Sequence, residues 1–256
     1  MRRIKLTVAY DGTNYCGWQV QPNGITVEEV LNRAIRKLTG EETAVIGASR
    51  TDSGVHALGN VAVFDTESRI PGERFSYALN QRLPRDIVVV SSEEVSLSWH
   101  PRYQDSYKTY EYRILNTKVP VPTRRLYTCH VSFNLDLDRM REGARYLVGE
   151  HDFAAFCCIR TNAKTTVRTV EELEIRREGD EIVLRITGTG FLYNMVRIIA
   201  GVLIRVGRGF YEPEKVRDLL EGQERTKEAV TAPAEGLCLI GIEYEKTVSD
   251  MGNDEK

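Results

Sequence analysis

Apolar and polar side chains alternate through residues 5–10 (Lys5-Leu6-Thr7-Val8-Ala9-Tyr10) and the alternation stops at Asp11-Gly12, predicting a strand that ends in a turn. Over 25–38 the period changes. Val27, Val30, Leu31, Ala34 and Leu38 recur at helical spacing, with Thr26 placed to cap the helix and Gly40 to end it. Short apolar runs at 44–46 and 61–64 predict two strands. A helix over 74–81 and a β-branched run at 87–90 follow, so the first hundred residues spell β-α-β-β-α-β, an open antiparallel sheet backed by two helices.

The polar and aromatic stretch 99–106, with Pro101, predicts a boundary. Beyond it the pattern predicts strands at 108–115 and 126–131, a helix at 138–147 and a hairpin joining 170–175 to 182–186 across Gly179-Asp180. An apolar helix at 192–206, a shorter one at 213–220 and a last strand at 237–244 complete it. The expected division is an N-terminal half over 1–105, a C-terminal half over 106–246 and a mobile polar tail over 247–256. Element order is similar in the two halves, without a visible sequence repeat.

Composition narrows the function classes. The net charge of −2 over 256 residues makes no case for a polyanionic partner, so any anionic ligand must be held by a local basic patch. No apolar run is long enough to span a bilayer, and the basic start passes at once into strand alternation without a signal-peptide core. The five cysteines form no Cys-x-x-Cys pair, and Cys157 and Cys158 are adjacent, a poor geometry for sharing zinc. A reducing, cytoplasmic protein without a structural metal is expected.

Three segments carry chemistry. The first is Gly47-Ala48-Ser49-Arg50-Thr51-Asp52-Ser53-Gly54-Val55-His56-Ala57, a glycine-bounded turn between two strands. Arg50, two residues before Asp52, is expected to supply a positive charge that favours the ionised, nucleophilic carboxylate. Thr-Asp-Ser-Gly is equally ordinary turn chemistry. His56 either lines the same site or stabilises the turn. The second segment is the strand 108–114, whose alternation puts Lys108, Tyr110, Tyr112 and Ile114 on one face. A cation beside tyrosines can stack a base and hold its phosphate, and half-buried strand tyrosines need no ligand at all. The third is Arg197, in the middle of an apolar helix, where a guanidinium must find an anion or reach along its stem to the surface. Gly201, one turn later, would let another backbone approach that face.

Other signals are weaker. Gly188-Thr189-Gly190 suggests a dinucleotide fingerprint, but Tyr193 stands where the third glycine is required. The four histidines show no metal-ligand spacing. Arg124-Arg125, then Arg160, Lys164 and Arg168, then Arg205 and Arg208, are available for a basic patch, and Trp18 and Gln19 are placed to meet a ligand.

Taken in order, Tyr10-Asp11-Gly12-Thr13, Gly17-Trp18-Gln19, Arg50-Thr51-Asp52-Ser53-Gly54-Val55-His56-Ala57, Tyr110-Glu111-Tyr112, Phe191-Leu192-Tyr193-Asn194-Met195-Val196-Arg197 and Ala232-Pro233-Ala234-Glu235-Gly236-Leu237 resemble the tRNA pseudouridine synthase A family over nearly the whole chain. Ser49 departs from the glycine common there. The resemblance implies an α+β fold of two ferredoxin-like halves sharing a central antiparallel sheet, with RNA in a basic cleft between them. It also implies isomerisation of uridine to pseudouridine at positions 38, 39 and 40 of the tRNA anticodon stem-loop, without cofactor or metal, by a homodimer. It carries the nucleophile role onto Asp52 and base stacking onto Tyr110, sets Arg50 beside the flipped nucleotide and pairs Arg197 with Asp52. Two rivals remain. An RNA-binding module would use Lys108 and Tyr110 but have no use for Asp52, and a glycoside or nucleoside hydrolase would want a second carboxylate.

Overall fold

The computed structural model describes residues 1–158 and 164–245. Ten strands form one sheet: β1 (Arg2–Tyr10), β2 (Ile46–Gly47), β3 (His56–Thr66), β4 (Ile87–Val95), β5 (Ser106–Leu115), β6 (Cys129–His130), β7 (Gly149–Asp152), β8 (Val167–Glu178), β9 (Glu181–Gly188) and β10 (Leu237–Tyr244). Five helices accompany them: α1 (Val27–Thr39), α2 (Phe75–Asn80), α3 (Leu137–Arg145), α4 (Met195–Gly207) and α5 (Lys215–Gly222). The main path of the sheet is β4-β1-β3-β10-β5-β9-β8-β7, with β2 on β3 and β6 on β5. The series β1-α1-β2-β3-α2-β4 is laid out as β4-β1-β3-β2, and β5-α3-β8-β9-α4-β10 takes the same layout as β10-β5-β9-β8. This is the ferredoxin-like order expected of an α+β protein, used twice in one mostly antiparallel sheet.

The seam between the two series is short and parallel. Only Cys238↔His56 and Leu239↔Ala57 pair β10 with β3, and further along the same strand β2 takes over at Ala62 and Val63. Because β3 changes partner there, the chain between β2 and β3 leaves the sheet and rises over the seam. The residues that rise are 48–55.

Local signals explain most elements. The Thr26 hydroxyl accepts from Glu29 N at 3.3 Å to cap α1, and Gly40, at φ 77°, ends it. On the helix-covered face Ile4, Leu6, Val8, Phe64, Ile87 and Val89 are buried against Leu31, Ile35, Phe75 and Leu79. Four differences from the pattern stand out. The strand at 44–46 shrinks to Ile46–Gly47, and Val45 N donates to Asn32 Oδ1 of α1 at 2.8 Å instead of joining the ladder. The segment 126–131 contributes only Cys129–His130. Strand β7 went unpredicted because Gly-Glu-His-Asp shows no apolar alternation, as suits a polar edge strand. Helix α4 begins at Met195 rather than 192, since Asn194 adopts a left-handed conformation with φ 63°. The predicted mobile tail lies outside the described residues, as does Arg160.

Candidate active site

The turn over the seam is held from three sides. From beneath, the fully buried Asn60 replaces the missing strand partner. Its Oδ1 accepts from Ser49 N at 3.2 Å and its Nδ2 donates to Ser49 O at 3.0 Å, so a side-chain amide closes both backbone groups just where β2 lets go. Tyr10 adds a hydrogen bond of 2.7 Å between its hydroxyl and that of Thr51. From behind, the segment after β1 supports the turn: Trp18 N donates to Thr51 O at 3.1 Å and Gly54 N to Tyr15 O at 3.3 Å. Gly17, at φ 81°, lies so close that a Cβ would stand 2.6 Å from Thr51 O, which only glycine avoids. From the second series, Lys108 Nζ donates to Ala48 O at 3.1 Å and the Tyr110 hydroxyl reaches Ser49 Oγ at 3.4 Å.

Asp52 stands at the top of this turn beside Arg197. Nη1 of Arg197 lies 3.4 Å from Asp52 Oδ2, with side chains 18% and 12% exposed. The guanidinium is fixed by two further acceptors, Asn194 Oδ1 at 2.9 Å and Ala232 O at 2.9 Å. Arg197 therefore turns inward rather than following its stem to solvent. Gly201 makes this possible: it takes the Val230 carbonyl in a contact that a Cβ would block, so the segment before β10 lies on α4 and delivers Ala232.

The electrostatics of Asp52 differ in one respect from expectation. Burial raises its carboxyl above the ordinary carboxylate value, and the charge and hydrogen bond of Arg197 counter that rise without cancelling it. Arg50, expected to be the neighbouring charge, makes no ion pair with Asp52; it is exposed on the cleft rim. The charge beside the carboxylate comes from α4.

Asp52, Arg50 and Tyr110 line one cleft of about 930 Å³, together with Gln19, Arg102, Lys108, Arg168 and Tyr193. Among the described residues four cations and one carboxylate face this space, a local basic field on a chain of net charge −2. Tyr110 is 8% exposed, and its ring meets Phe191 edge-on at 5.3 Å. Burial pushes its hydroxyl up to about 12, so it is protonated at neutral pH. Tyr112, on the same face, is fully buried with its hydroxyl on Pro233 O, a core residue.

Several residues singled out in the sequence sit elsewhere. His56 accepts from Gly12 N at its Nδ1 and faces a separate groove with Tyr127 and Leu58, so it does not line the Asp52 cleft. Trp18 is 1% exposed and packs over Gly47 as core rather than meeting a ligand. Arg124 pairs with Glu181, Arg205 donates to Tyr211, and Arg208 lies over Phe133. Of the predicted basic clusters, only Arg168 lines the cleft among the described residues. Asn60, Asn194 and Arg102 were not singled out. Asn60 had a signal, one amide inside the apolar run 55–64; Arg102 had none beyond its place in the boundary loop. Among the described residues no group of three or more His, Cys, Asp and Glu is arranged to hold a metal ion, and no helix is long and apolar enough to cross a membrane.

The family model described as tRNA pseudouridine synthase matches residues 6–104 and 144–245, which include the turn, β5-facing α4 and the last strand. The chain belongs to the tRNA pseudouridine synthase family. It is 51% identical over 244 residues to "tRNA pseudouridine synthase A" of Thermoanaerobacter sp. (strain X514), covering 95% of this chain and 100% of that protein. It is 50% identical over 244 residues, with the same coverage, to the protein of that name from Acetivibrio thermocellus, and 45% identical to that of Geotalea daltonii. As a member of the tRNA pseudouridine synthase family, the protein is an isomerase acting on tRNA.

Proposed function

We propose that this protein converts uridine to pseudouridine at positions 38, 39 and 40 of the tRNA anticodon stem-loop, with Asp52 as the catalytic nucleophile. The observation that carries the reading is a single, largely buried carboxylate, paired with Arg197, in a cleft whose other charged lining residues among those described are cations. The reaction breaks the bond between C1′ and N1, turns the base and joins C1′ to C5, whose proton leaves. No electrons are gained or lost and no second substrate enters, so one positioned carboxylate suffices, whether it adds to the sugar, adds to the base or removes a sugar proton. Arg197 favours the ionised Asp52 against the cost of burial, and its two other acceptors keep it in place as charge on the carboxylate changes.

A base inside a stem must leave its stack to reach Asp52. The Tyr110 ring offers the face on which the extruded base stacks, backed by Phe191. Arg50, exposed on the rim, is placed to take the space the base vacates or to hold its phosphate. A hydrolase of similar shape would need a second carboxylate to activate water, and Asp52 is the only one lining the cleft among the described residues.

The division at 1–105 and 106–246 follows the two strand series, with the RNA cleft over their seam. The protein acts in the cytoplasm as a homodimer; the helix-free sheet face, with exposed Leu58, Val88 and Val90, supplies apolar area for a second copy. Incubating purified protein with an unmodified tRNA transcript and mapping pseudouridine tests the reading. Conversion confined to 38–40 is the expected result, and conversion at other uridines with none there would overturn it.

A further inference from the structure

Several arginines of this protein are neutralised. Arg113, Arg176 and Arg185 surround Glu111, and Arg2, Arg3 and Arg139 each hold a carboxylate. Arg102, Lys108 and Arg168 are different. All three line the Asp52 cleft, from the loop before β5, from β5 and from β8, and none forms an ion pair with a carboxylate among the described residues. They are close enough that Arg102 and Arg168 both oppose the charge on Lys108, after burial, which together push its ammonium down to about 8. Burial likewise pushes the Arg168 guanidinium down. Like charges gathered without a counter-ion at the wall of a cleft are costly unless an anion arrives from outside.

Lys108 is also half-spoken-for. One of its three N–H groups goes to Ala48 O, the residue that starts the rise of the turn, and two remain for a ligand. We propose that Arg102, Lys108 and Arg168 form a subsite for one backbone phosphate of the RNA, and that Lys108 ties this phosphate to the Asp52 turn through Ala48. The phosphate that docks there supplies the missing counter-charge, so RNA binding and placement of the turn reinforce each other. This rests on the tRNA reading above for the source of the phosphate, whereas the anion site itself rests on the trio alone.

The test compares wild type, Lys108→Gln, Lys108→Arg and Arg168→Gln in binding an unmodified anticodon stem-loop RNA across a salt series. Loss of one phosphate contact reduces the slope of log affinity against log salt by about 0.9 and weakens binding about tenfold at fixed salt. Both effects are expected for the two glutamine variants, with Lys108→Arg restoring the slope. Thermal unfolding separates a structural role: Lys108→Gln should be no less stable than wild type, because it removes an uncompensated charge. Unchanged slope and affinity in both glutamine variants would overturn the proposal. Should wild type bind no stem-loop RNA, the tRNA reading fails, and the subsite is then judged with inorganic pyrophosphate. NMR of ¹³C-methylated lysines, with Lys108→Arg assigning the signal, should show the Lys108 titration moving to higher pH as pyrophosphate is added. No movement ends the proposal.

Discussion

Nη1 of Arg197 lies 3.4 Å from Oδ2 of Asp52, joining positions 145 residues apart. One belongs to the turn between β2 and β3 and the other to α4, so the pair forms only when both strand series and the segment over Gly201 are in place. The carboxylate needs this partner because burial works against its charge.

Removing Arg197 should therefore move the acid limb of the reaction. In Arg197→Met the opposition to burial is gone, the Asp52 carboxyl rises further, and the rate is lost at a higher pH than in wild type. Turnover at neutral pH should fall by about 10²-fold or more. A pH-rate profile under single-turnover conditions checks this; an acid limb at the wild-type position would show that Arg197 does not set the charge of Asp52.

Asp52→Asn should make the folded protein more resistant to heat. The folded-state carboxyl is raised above its unfolded value near 4, so the ionised form is the costly one in the fold. That cost is absent at pH below the unfolded value, where both states are protonated, and fully present once the pH exceeds the raised value. The neutral amide escapes it. The thermal midpoint of the variant should therefore exceed that of wild type at neutral pH and converge with it in acid, as scanning calorimetry at several pH values would show.

Asn60 is expected to act through the turn. Asn60→Ala leaves the buried Ser49 N–H and C=O without partners, costing about 2–3 kcal/mol of stability. Turnover should fall more than RNA affinity, since the cleft cations are untouched while Asp52 loses its fixed position. Equal losses in turnover and affinity would argue for general unfolding instead.

Tyr110→Phe keeps the stacking face and removes the contact with Ser49, so RNA affinity should stay near wild type. Tyr110→Ala should lose about 1–3 kcal/mol of transition-state stabilisation, the worth of one base stacked on an aromatic ring. Kinetics of both variants on one transcript separate the ring from its hydroxyl.

Much of the fold was legible because it is written in local periods. The alternation of β1, the capped amphipathic α1 and the β8–β9 hairpin each carry their own signal, and the similar element order of the two halves already suggested a duplicated plan. What was hidden depends on distant partners. The parallel seam joins β3 to β10, which arrives nearly two hundred residues later, and no local pattern announces it. The same holds around the cleft. Asp52, Tyr110 and Arg50 do line one cleft, with Arg197 paired to Asp52 behind it, and the charge next to Asp52 comes from Arg197 and not from its sequence neighbour Arg50. His56, so close in sequence, opens β3 and accepts from Gly12 N at its Nδ1, which holds it in the separate groove rather than in the cleft. Asn60 is illegible for a further reason: a buried amide inside an apolar run shows that something polar must be satisfied, not which backbone it satisfies.

The central claim is that Asp52 performs the chemistry. Asp52→Asn keeps the shape of the turn, Arg197 retains its contacts with Asn194 and Ala232, and the cleft cations remain. Purified Asp52→Asn protein should bind an unmodified tRNA transcript as wild type does and leave every uridine unconverted when pseudouridine is mapped after long incubation. Pseudouridine at 38, 39 or 40 formed at the wild-type rate would contradict the account.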